Sequence, residues 1–134
     1  LCHALDALPE VAGTRARGGE PFAIRNLFPQ VPEVCRVAIS PPLWSAAATI
    51  LGPEARAVRA TLIDKRAGAN WSVGWHQDLT IAVRERHDLT GWDRWSVKGG
   101  VDCVQPTGEV LAGMVTVRLS LDACDADSGA LKLA

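Results

Sequence analysis

Residues 70–81 read NWSVGWHQDLTI. His76 and Asp78 stand two apart, among tryptophans and apolar residues that otherwise suit a strand. Residues i and i+2 of a strand share a face, so the spacing predicts that the two side chains project together. An imidazole nitrogen and a carboxylate oxygen placed side by side can both reach one divalent cation. By itself an H-x-D dipeptide is more commonly a surface ion pair or a satisfied hydrogen bond, so its surroundings decide how far to take it.

Working outward, residues 58–63 are β-rich with apolar residues on both sides, which predicts a buried strand. Residues 64–70 are expected to be a turn or loop. Before them, Ser40 suits an N-cap, Pro41 the first helical position and Gly52-Pro53 a stop. Leu43, Ala47, Ile50 and Leu51 then make one apolar helical stripe. Residues 32–38 fit a short helix led by Pro32, and Gly18-Gly19 fits the turn of a hairpin. After the central stretch, residues 84–113 carry many glycines and are expected to be one long loop of the lid or binding type. Residues 114–122, MVTVRLSLD, alternate cleanly, and residues 130–134 begin another strand. Leading helices followed by strands predict a mainly β fold, an antiparallel sandwich or barrel. The chain starts at Leu1 and stops inside an alternating pattern, so we expect it to be a piece of a longer protein.

Composition narrows the function classes. The 134 residues fit one domain, 1–134, and at 48% hydrophobic and 22% charged they read as a folded chain. With 14 basic and 15 acidic residues the formal net charge is -1. No large single-sign field is implied, so nucleic acid and an anionic membrane are not expected partners. Cys2, Cys35, Cys103 and Cys124 are scattered with no C-x-x-C pair, which disfavours a zinc knuckle and suggests reduced thiols in a cytoplasmic setting.

Two histidines and one carboxylate on one side of an ion make the facial arrangement of non-haem Fe(II) oxygenases, which leaves open positions for substrate, cosubstrate and dioxygen. His76 and Asp78 would supply two of those three ligands.

LIDK at 62–65, WHQD at 75–78, RLSLD at 118–122 and SGALKL at 128–133 together resemble the phytanoyl-CoA dioxygenase family. The resemblance implies a double-stranded β-helix, a cupin-like jelly roll that would be incomplete at the C-terminus of this chain. It implies Fe(II) as cofactor, 2-oxoglutarate as cosubstrate, and hydroxylation of an unactivated carbon in a small-molecule substrate by O2. It matches His76 and Asp78 to iron ligands and puts Lys65 near the cosubstrate. The third ligand, a histidine, and the arginine that anchors 2-oxoglutarate would lie beyond residue 134. A carboxylate at position 78 favours hydroxylation over halogenation.

Other residues carry weaker expectations. Arg118 shares a face with Thr116 and Ser120 and would meet a carboxylate if that face lines a pocket; an exposed arginine is the competing reading. Trp92 and Trp95 fall in the glycine-rich stretch, where they suit a substrate lid or a loop folded onto the core. Gln77 is expected to pack or to orient the ligands, and His87 to be solvated within its charge run. Two alternatives stay open: a non-catalytic, cupin-like binding module, and a cupin-type metal enzyme that does not use 2-oxoglutarate.

Overall fold

The computed structural model describes residues 5, 13–17, 19–65, 68, 71–125, 127–128 and 130–133. Cys2, His3 and the Gly18 half of the expected hairpin turn lie outside them. The fold is β-rich, with two small antiparallel sheets and a few short helices.

The first sheet is ordered β1 (Thr14–Arg17), β2 (Glu20–Arg25), β3 (Thr61–Ile63). β1 and β2 are the hairpin expected around Gly18-Gly19. Its register slips between Arg15 and Ala16, where Pro21 comes opposite Ala16. A bulge is where a strand tolerates proline, which has no N–H for the ladder. The expected strand over 58–63 shrinks to β3, whose Ile63 is 61% exposed. Only its inner side is covered, so the prediction of burial on both faces is corrected.

Between β2 and β3 run two helices, α1 (Pro32–Ala38) and α2 (Pro41–Leu51), bent by 54° where they meet. Both start on proline as expected, and α2 ends at Gly52, with φ 90°. Ser40 occupies the N-cap but does not cap; its hydroxyl donates back to the Val37 carbonyl at 2.6 Å. Ile24, Leu27 and Val31 form the core of this half, with Leu5, Val34, Ala60 and Leu62 against it. Among the described residues no single helix is long and apolar enough to cross a membrane.

The second sheet is ordered β4 (Ile81–Ala82), β6 (Val101–Gln105), β5 (Asp93–Lys98). Val104 and Cys103 on its central strand are buried almost completely. The long loop expected over 84–113 is therefore corrected: it contains the β5–β6 hairpin and the short helix α3 (Gly108–Ala112). The signal was present. Two β-rich runs, DRWSVK and VDCVQ, flank Gly99-Gly100, and both glycines take positive φ, 60° and 77°, as a tight hairpin turn demands.

Residues 114–122 and 130–133 are also corrected: they carry no ladder. Val117 and Leu119 are 45% and 50% exposed. Alternation predicts which face a strand would bury, but a strand also needs a neighbour to receive its N–H and C=O groups.

The two sheets meet at one corner. Asn26, just past β2, adopts φ 56°, a left-handed conformation that asparagine tolerates better than most residues. Its Nδ2 donates to the Gly99 carbonyl at 3.0 Å and more weakly to the Lys98 carbonyl at 3.4 Å. A Cβ on Gly99 would come within 3.0 Å of the Gly13 Cα.

Asn26→Ala loses these bonds and strains the backbone, and should cost about 1–3 kcal/mol. Asn26→Gly relieves the backbone and should cost less. Gly99→Ala should destabilise by more than about 1 kcal/mol, because both its φ and the Gly13 backbone resist a methyl group. Urea unfolding midpoints of the three variants against the parent chain measure these costs; an unchanged midpoint for Gly99→Ala would refute the close packing.

Candidate metal-binding site

The segment 71–80 is strung between the two sheets. At its start, the Trp71 ring packs on Phe22 of β2, with centroids 4.6 Å apart and planes at 52°. The Lys65 ammonium stands 5.4 Å over Trp71, and the Arg15 guanidinium 5.3 Å over Phe22. At its end, the Thr80 hydroxyl accepts a 2.7 Å hydrogen bond from Lys98 Nζ, and Ile81 pairs with Val104 in β4–β6. Between these anchors residues 72–78 are exposed and unpaired by any ladder. The strand expected over 71–81 is thus corrected to an unladdered bridge, bent at Trp75, that becomes a strand only at Ile81–Ala82.

The i, i+2 spacing still brings the pair together. His76 Nε2 lies 3.8 Å from Asp78 Oδ1, with side chains 53% and 83% exposed. His76 Nδ1 is 2.9 Å from the Gly74 carbonyl. A carbonyl only accepts, so Nδ1 carries the hydrogen, and Nε2 is left to face the carboxylate. A neutral imidazole would then present a lone pair toward a carboxylate oxygen. At 3.8 Å between two exposed side chains, water or a cation can stand between them. A backbone carbonyl that fixes the tautomer in this way is the usual support of a metal-ligating histidine.

Two donors on adjacent corners of an octahedron, each roughly 2.0–2.2 Å from the metal, lie about 3 Å apart. The present 3.8 Å gap is wider by less than a rotamer adjustment of an exposed aspartate can close. The pair therefore fits two positions of a metal's coordination sphere. Among the described residues no group of three or more His, Cys, Asp or Glu is assembled to complete it.

Lys65 is exposed, above Trp71. Arg118 is exposed on the unladdered segment after α3. Trp92 sits half-buried in the turn before β5, and Trp95 lies on β5 with the Arg86 guanidinium 4.9 Å over its ring. His87 is exposed and pairs with Glu85 at 3.1 Å, as its charge run suggested. Cys35, Cys103 and Cys124 are free thiols. The acidic turn near the C-terminus is closed on itself: Asp125 Oδ1 accepts from the Ser128 and Asp127 amides at 2.9 and 3.1 Å and from the Ser128 hydroxyl at 3.0 Å. The Ser128 amide above all, then its hydroxyl, holds the Asp125 carboxyl below its ordinary value. Sequence reasoning missed the cleft between Arg15, Phe22 and Trp71, because no local pattern announces which aromatic rings from separate segments will meet.

No family model, curated protein or solved structure matches the chain.

Zn(II) should bind weakly and shift the His76 ring resonances in NMR, and it should be displaced as acid protonates both ligands. His76→Ala and Asp78→Asn are each expected to lower the affinity by roughly tenfold or more. A His76→Ala chain that binds Zn(II) as tightly as the parent would remove the pair as a site.

Ser128→Ala should raise the Asp125 pKa toward the ordinary carboxylate value, read by carboxyl carbon NMR against pH. A carboxylate depressed in the fold stabilises it above the unfolded-state pKa, and this is lost as pH falls through the folded value. The parent turn should therefore loosen at lower pH than the variant's.

Proposed function

We propose that the chain is the metal-binding part of an Fe(II)- and 2-oxoglutarate-dependent dioxygenase of the phytanoyl-CoA dioxygenase family, built on a jelly roll. It hydroxylates an unactivated carbon of a small or medium organic substrate and releases succinate and CO2. The observation that carries the reading is the orientation of His76: its Nδ1–H is spent on the Gly74 carbonyl, and its Nε2 faces Asp78 across 3.8 Å.

Bound iron supplies the activation of dioxygen against 2-oxoglutarate. The chain's own residues do the rest. His76 and Asp78 hold the cation, with Gly74 fixing the imidazole tautomer. Lys65 contributes positive charge near the start of the same bridge, where it attracts the dianionic cosubstrate. Arg118 is a second candidate for a carboxylate, and Trp92 and Trp95 for the substrate's apolar body. The free thiols suit a reducing cytoplasm. The reading needs one more histidine and an arginine from sequence beyond residue 134.

A second reading has its own support. Both side chains are more than half exposed, and an exposed ion pair of a doubly protonated His76 with Asp78 accounts for the same distance at about 0–1 kcal/mol of stability. The chain would then be a binding module without redox chemistry.

Anaerobic addition of Fe(II) and 2-oxoglutarate to the protein expressed from its whole gene decides between them. A weak visible charge-transfer band, lost in His76→Ala and Asp78→Ala, is expected, with succinate formed once oxygen is admitted. If no histidine follows in the next strand, or no band forms, the oxygenase reading fails.

A further inference from the structure

We infer that the cleft between the first sheet and the start of the bridge is a binding site for a small organic carboxylate, anchored by Arg15. The cleft is open and measures about 240 Å³, lined by Arg15, Phe22, Trp71, Ser72 and Val73. Two aromatic rings and a valine offer an apolar wall, Ser72 a hydroxyl, and none of the described lining residues is acidic.

Arg15 sets the ligand's charge. Its guanidinium lies over the Phe22 ring, and it forms no ion pair with a described residue. An exposed guanidinium 5.3 Å from a ring centroid keeps N–H groups for an acceptor, and its planar fork can match a carboxylate through two parallel hydrogen bonds. The aromatic wall favours an organic body over a bare inorganic anion. The volume, below that of pockets for drug-sized molecules, keeps that body small.

The site's position ties it to the bridge. Val73 lines the cleft, and the next residue, Gly74, holds the His76 ring through its carbonyl. Three residues of chain span at most ~10–11 Å, so the cleft and the His76–Asp78 pair share one short stretch of the bridge. The assignment of this ligand as the oxygenase substrate rests on the function proposed above; its binding does not.

Phenylacetate is a suitable probe for the 134-residue chain without metal, followed by ligand-observed NMR. Saturable binding is expected. It should weaken about tenfold or more in Arg15→Gln, a substitution at an exposed side chain, and phenylacetamide should bind the parent about tenfold or more weaker than phenylacetate. Binding that does not saturate, that is equal in Arg15→Gln, or that is equal for the neutral amide overturns the site. Addition of Mn(II) then tests the metal pair separately. Broadening of the bound probe that disappears in His76→Ala supports the oxygenase reading. Arginine-dependent binding without such broadening keeps the cleft and removes the metal centre.

Discussion

The hydrogen bonds of Asn26 hold the molecule's two halves at one corner. Each sheet has only three strands, and neither has a core large enough to ignore the other. The side chain of Asn26, at the end of the first sheet, reaches the hairpin turn of the second. Only a residue that accepts a left-handed backbone and still carries an amide can do this. The turn must be glycine on its side, since a methyl group at position 99 would meet the Gly13 backbone. Lys98 extends the junction: its carbonyl receives Asn26, while its ammonium donates to Thr80 at the end of the bridge.

That junction determines what the bridge can do. Residues 72–78 have no ladder of their own, so their course is set by where Trp71 and Thr80 are held. Trp71 is fixed by the first sheet and Thr80 by the second. His76 and Asp78 lie between, in the part of the segment that has most freedom. A metal pair on a rigid strand would be better organised for binding; one on a bridge is adjustable, and its ligand spacing responds to the relative placement of the sheets.

Much of the local structure was legible because it depends on neighbours in sequence. Pro32, Pro41 and Gly52 mark helix ends through their own backbone limits, whatever packs nearby. The hairpin at β1–β2 follows from its glycine turn. The pairing of His76 with Asp78 survives the loss of the expected strand because residues i and i+2 stay near neighbours even on a segment without a ladder. What was not legible depends on distant partners. The hairpin β5–β6 hid among glycines that suggested a loop, although its central Gly-Gly was the turn itself. MVTVRLSLD has the alternation of a strand and stays without a ladder, because periodicity describes a face and says nothing of a partner. The Arg15–Phe22–Trp71 cleft and the reach of Asn26 to Gly99 join segments separated by many residues, and no spacing rule encodes them.

The same dependence links ligand binding to stability. Bringing His76 Nε2 and Asp78 Oδ1 from 3.8 Å to the separation of adjacent metal ligands would fix the middle of the bridge. Fixing exposed backbone costs roughly 1–2 kcal/mol per residue in conformational entropy, and two donors recover little of that. A bound cation would therefore gain most where the bridge is already ordered from its ends. An occupied cleft beside Ser72 and Val73 orders the bridge on the side of Trp71, and the Lys98–Thr80 bond does so on the other. Two ligands that each order the same segment assist one another even without touching, since the second to bind meets a chain whose freedom is already reduced. In this molecule cooperativity between an anion in the cleft and a cation at His76 and Asp78 would follow from the chain's geometry alone.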